Sequence, residues 1–88
     1  MKAIEILIFA DFNYAAALEA IGFKVEVDDA YNKIISAEIN ANDVMDAIQL
    51  CEELHRINLI GSVSYNGEDY SSEEFFNKEF TDAELGLA

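Results

Sequence analysis

Proline and tryptophan are absent from this 88-residue chain, cysteine and histidine occur once each, and only five residues are basic. Each shortage excludes something. A lone cysteine, Cys51, closes no intramolecular disulfide and builds no cysteine-based zinc cluster, which fits a reducing cytosol. The four glycines, Gly22, Gly61, Gly67 and Gly86, are scattered, so phosphate-cradling and dinucleotide fingerprints are missing. The N-terminal apolar run Ile4–Ala10 contains Glu5 and falls far short of the roughly 20 residues of a membrane span. A secretory leader would need a longer apolar core and a small-residue cleavage site, so the chain is read as mature and cytosolic. There is no low-complexity tract and no internal repeat.

What is abundant is acid. Eighteen Asp and Glu against five Lys and Arg leave a net charge of −13 and a pI near 4.1. Such a field repels a phosphate backbone and an anionic membrane surface alike, because both are held by Lys and Arg. The basic residues are Lys2, Lys24, Lys33, Arg56 and Lys78, and no two are adjacent. Hydrophobic residues make up 52% of the chain, enough for a packed core, and the length allows one domain.

Residues 3–10 read as a buried central strand, with Ile4, Ile6 and Ile8 on one face and Glu5, Leu7 and Phe9 on the other. Asp11 or Asn13 caps a helix over 12–21, whose stripe is Tyr14, Leu18 and Ile21, and Gly22 stops it. Residues 23–28 alternate as an edge strand, with Phe23, Val25 and Val27 inward. Asp28 to Asn32 turn the chain, and 33–40 return as a strand with Ile35, Ala37 and Ile39 on one face. Asn40 or Asn42 is the expected cap of a helix over 42–57, with Val44, Ala47, Ile48, Cys51 and Leu54 buried and Asn58 as its stop. A fourth strand covers 59–65 and ends at Asn66-Gly67.

This βαββαβ succession predicts an α+β, ferredoxin-like two-layer sandwich. Its four-stranded antiparallel sheet carries both main helices on one face. Residues 1–66 form that core, and 67–88 an acidic helical extension of the same domain. Within the extension, Ser71-Ser72-Glu73-Glu74 fits a capping box and Thr81-Asp82-Ala83-Glu84 repeats it. Phe75, Phe76 and Phe80 then give a short aromatic helix, expected to pin itself to the sheet where Leu7 and Phe9 would otherwise leave an open apolar patch.

Catalytic chemistry finds little support. A Cys-His pair would have to be Cys51 and His55, at i, i+4 on one helix, but Cys51 falls in the buried stripe, where a thiol is an inert small hydrophobe. The carboxylate pairs Asp28/Asp29, Glu52/Glu53, Glu68/Asp69 and Glu73/Glu74 are sequence neighbours, which makes no dyad by itself. Asp28 and Asp29 lack the spacing of a calcium loop, so no metal and no cofactor is expected.

Users of the fold can be tested in turn. An RNA-recognition module needs stacking aromatics on the strand 33–40, which has none. A heavy-metal version needs C-x-x-C in the first loop, where Phe9-Ala10-Asp11-Phe12-Asn13 stands. The order of elements resembles amino-acid-binding regulatory domains, but their glycine at that same turn is missing. In size, acidity, lack of catalytic motif and acidic C-terminal segment (Glu68, Asp69, Glu73, Glu74, Asp82, Glu84), the chain resembles the small phage-encoded inhibitors of host defence, anti-CRISPR proteins among them. The resemblance implies a non-enzymatic inhibitor that acts in the host cytoplasm. Its partner would be a basic nucleic-acid-binding protein such as a CRISPR effector complex, met through these six residues or through Asp28 and Asp29. The alternative is a small dimeric regulatory domain that binds a small-molecule ligand.

Overall fold

The computed structural model describes residues 4–87. The expected start of the first strand at Ala3, and Lys2, lie outside them. In chain order the elements are β1 (Ile4–Asp11), a 3-10 turn (Phe12–Tyr14), α1 (Ala15–Ile21), β2 (Lys24–Asp29), β3 (Ile34–Ala41), α2 (Val44–Arg56), β4 (Ser62–Tyr65), β5 (Glu68–Ser71) and α3 (Ser72–Asn77). The result is a two-layer α+β sandwich. Its single sheet runs β2-β3-β1-β4-β5, with every neighbouring pair antiparallel.

The sheet therefore has five strands rather than the expected four. Asn66 and Gly67 do not simply end β4; both take positive φ, 50° and 78°, and turn the chain straight back into β5. Two consecutive positive-φ residues match the right-handed twist of the strands they join. Tyr65 then faces Glu68, and Val63 faces Tyr70.

Alternation along β1 separates the two faces. Ile4, Ile6 and Ile8 are buried, and they share one core cluster with Leu18 of α1, with Ala47, Cys51 and Leu54 of α2, and with Phe75 of α3. All three helices thus lie on one side of the sheet. Phe75, with no exposed surface, is the largest fully buried side chain. Burial of such a group is worth roughly 1.5–3 kcal/mol.

Local chemistry sets the helix ends. Gly22 (φ 120°) and Asn58 (φ 59°) stop α1 and α2 by taking positive φ. In each case the next residue's N–H reaches back, Phe23 to the Leu18 carbonyl and Leu59 to the Leu54 carbonyl, both at 3.0 Å. This is the Schellman arrangement that satisfies free carbonyls. The cap of α2 is neither Asn40 nor Asn42 but Asp43, whose carboxylate accepts from the Asp46 N–H at 2.8 Å. Asp46 answers by accepting from the Asn42 N–H at 2.9 Å. Asn40 is unable to cap because β3 continues to Ala41.

Two further expectations are corrected and a third is refined. Leu59 to Gly61 do not join β4, which begins at Ser62. Here Gly61 makes reciprocal bonds with Ser72 instead of extending the ladder. Val27 faces the helix side opposite Ile35, as its alternation predicts, but is 64% exposed there because a hollow separates it from α1. Phe80 lies beyond α3, although it still packs on Phe75 at 5.1 Å between ring centroids.

Candidate protein-binding surface

The expected interface residues divide between the two edges of the sheet. Asp28 and Asp29 close β2 at one edge, while Glu68 and Asp69 open β5 at the other. Glu73 and Glu74 follow in the first turn of α3, and Asp82 and Glu84 lie in the tail turn beyond it. The fold thus places six of the eight in β5 and the segment that follows it, and leaves the pair at 28–29 four strands away from β5.

Several of these acids are already engaged within the chain. Glu74 completes a reciprocal capping box with Ser71. Glu84 repeats it with Thr81, and its other oxygen accepts from the Tyr65 hydroxyl at 2.7 Å. That hydroxyl, helped by the Thr81 N–H, holds the Glu84 carboxyl below the usual carboxylate range, and Glu84 pushes the Tyr65 phenol up in return. Glu68 accepts from the Tyr70 hydroxyl and raises it likewise. The Asp29 carboxylate takes the side-chain amide and backbone N–H of Asn32, which lower its pKa and fix the β2–β3 turn. Glu73 stands 3.8 Å from His55. Among the described residues, Asp28, Asp69 and Asp82 have no side-chain hydrogen bond or ion pair.

Cys51 and His55 share a helix but not an environment. Burial pushes the Cys51 thiol up to about 11, so at neutral pH it carries its proton. His55 points the other way and stacks on Phe76 at 6.1 Å. Among the described residues no three His, Cys, Asp or Glu side chains are grouped to hold a metal ion. No described helix is long and apolar enough to cross a membrane.

The C-terminal helix does not cover Leu7 and Phe9. It packs through Phe75 on the other side, against α2, β4 and β5. Directly opposed residues of paired strands share a face, so the bare side can be read off the registers. One row runs Asn40, Glu5, Ser64, Asp69; the next Lys24, Glu38, Leu7, Ser62, Ser71; the third Glu26, Ser36, Phe9. Leu7 sits in the middle of its row, and Phe9, 57% exposed, ends the third row where β4 no longer pairs with β1. Of the acids there, only Asp69 was singled out from the sequence; Glu5, Glu26 and Glu38 were passed over as ordinary strand exteriors. Period-two alternation identified them as outward, but only strand order shows that they surround one apolar spot.

Two hollows accompany these surfaces. The larger, about 750 Å³, lies between α1 and α2 and is lined by Ala17, Ala20 and Leu50 together with Asp46, Glu53 and Arg56. Another, about 300 Å³, separates α1 from the free edge of β2 beside Phe12 and Val27. Compared with protein-family models, curated proteins and solved structures, the chain matches none.

Proposed function

We propose that this protein is a non-enzymatic inhibitor that binds a basic, nucleic-acid-binding protein in the cytoplasm, as an anti-CRISPR protein binds a CRISPR effector. The observation that carries this reading is the density of unneutralised charge. The molecule measures 47 × 23 × 19 Å. A net charge of −13 along its long axis is about one charge every 3.6 Å, close to the roughly 3.4 Å per charge of one nucleic-acid strand. Few of these charges are answered from within: among the described residues, Lys24 meets Glu26, Arg56 meets Glu52 and Glu53, and His55 meets Glu73. A Lys/Arg-lined channel built for phosphates would meet similar spacing here, on a rigid frame.

The finer fold assignment belongs to the same proposal. The succession βαββαβ with antiparallel strand order β2-β3-β1-β4 supports a ferredoxin-like core, to which β5 and α3 are added. Fold alone decides no function, so the argument rests on the charge.

The test is displacement. A fluorescent single-stranded oligonucleotide bound to a purified CRISPR effector or another basic nucleic-acid-binding protein should be released by this chain. Reversal of Asp28, Asp69 and Asp82 to lysine should weaken the competition at least tenfold. Raising salt from 50 to 500 mM should weaken it steeply, since screening shortens the reach of exposed charge. No displacement from any such protein, at low salt and high concentration, would leave the acidity serving solubility alone.

A further inference from the structure

Three parts of the surface stand out: the hollow between α1 and α2, the free edge of β2, and the bare face of the sheet. The hollow is lined by small apolar residues, acids and one arginine, so its charge favours no single class of occupant. The edge of β2 is interrupted by the register shift between Val27 and Asp29. Such an irregularity twists an edge away from strand addition.

The bare face carries an argument further. We infer that it is the docking face for the basic partner, with Phe9 and Leu7 entering an apolar spot ringed by arginine or lysine. This deepens the proposed function and rests on it. The registers put Phe9 beside Ser36 and Leu7 between Glu38 and Ser62. The partner facing Phe9 is the small Ser36, and the one beside Leu7 on β4 is Ser62, so both apolar side chains have a low neighbour. Around this centre stand Glu5, Glu26, Glu38 and Asp69, with Lys24 as the one cation of these rows, 3.7 Å from Glu26. An apolar centre within a charged rim is how protein interfaces are built. The rim selects the occupant. A second copy of this chain would set the same acids against each other, whereas a basic surface would pair with them. A guanidinium can also lie over the Phe9 ring while meeting Glu26 or Glu38.

The experiment uses defined probes and NMR. The full chain, isotope-labelled, is titrated with a synthetic peptide alternating arginine and leucine, and separately with one alternating arginine and serine at equal charge. The expected result is tighter binding of the arginine–leucine peptide, with shift changes centred on Leu7, Phe9, Glu38 and Ser62. Phe9→Ser and Glu38→Lys should each weaken it about tenfold or more, while Met45→Ser, on the helical side, should not. Phe9 is more than half exposed, and the spectrum of each variant reports whether the fold is kept. If the arginine–leucine peptide binds but maps to Glu73, Glu74 and Asp82 or to the helical side, the docking face is wrong and the basic-partner reading stands. Equal affinity of the two peptides, or self-association seen by sedimentation that Phe9→Ser abolishes, also overturns it. If neither peptide binds at low salt, the proposed function falls with it.

Discussion

At the scale of single residues, the acids of this chain have two occupations, and the sequence does not separate them. Glu84 and Asp82 are two positions apart and equally acidic, but only Glu84 reaches the Tyr65 hydroxyl and the Thr81 N–H. A reversal of Glu73, Glu74, Asp82 and Glu84 together would therefore remove two capping carboxylates as well as surface charge. The bond to Tyr65 also fixes a pH dependence. Glu84 titrates below 4.5 in the folded chain, so its stabilising tie is present above the unfolded value and is lost as pH falls through the lowered folded one. Tyr65, raised above 10, has the opposite sign: its contribution is present below the unfolded value and lost as pH rises through the raised one. In Tyr65→Phe the NMR titration of the Glu84 carboxyl should move up toward 4.5, keeping the part due to Thr81. An unchanged Glu84 titration in that variant would show that the tail is held by other means.

At the scale of elements, what the sequence made legible was whatever depends on near neighbours. Gly22 and Asn58 stop their helices, and Ser71 with Glu74 opens α3, because a cap is a contact between residues three to five apart. β5 was less visible. Asn66-Gly67 is a strong hairpin signal, but Glu68-Asp69-Tyr70-Ser71 has the composition of a loop, and only pairing with β4 makes it a strand. Ser72 was invisible for the same reason. It is fully buried, its hydroxyl accepts from the Gly61 N–H at 3.0 Å, and its own N–H donates to the Gly61 carbonyl at 2.8 Å. Eleven residues separate the two, and they clamp the start of α3 to the approach of β4. Space is tight there, since a Cβ at Gly61 would lie 3.1 Å from the Leu7 carbonyl oxygen. Ser72→Ala removes the acceptor and strands a buried N–H, which costs about 1–3 kcal/mol. Chemical denaturation should show that loss, with faster amide exchange in α3 than in β1. A stability within about 0.5 kcal/mol of the parent would mean that the clamp is carried by Phe75 alone.

At the scale of the whole molecule, net charge was readable from composition, but its layout was not. Composition says that the surface is acidic; strand order says that Glu5, Glu26, Glu38 and Asp69 share one face with Leu7 and Phe9. The excess charge has a cost that every copy carries before it meets a partner, because like charges on so small a surface repel. Salt should therefore act on this protein in two opposite directions. Screening shortens the reach of charge from roughly 30 Å at 0.01 M to about 3 Å at 1 M. Self-repulsion then fades, and the melting temperature of the free protein should rise by several degrees over that range, since about 1 kcal/mol moves a domain of this size by roughly 4–8 °C. Affinity for a basic partner should fall over the same range, because the attraction is screened equally. Sodium chloride serves better than sulfate, which strengthens apolar burial on its own account. A melting temperature that stays flat or falls would mean that the carboxylates are spaced widely enough to ignore one another. The offset between acidity and binding argued for this surface would then have nothing to offset.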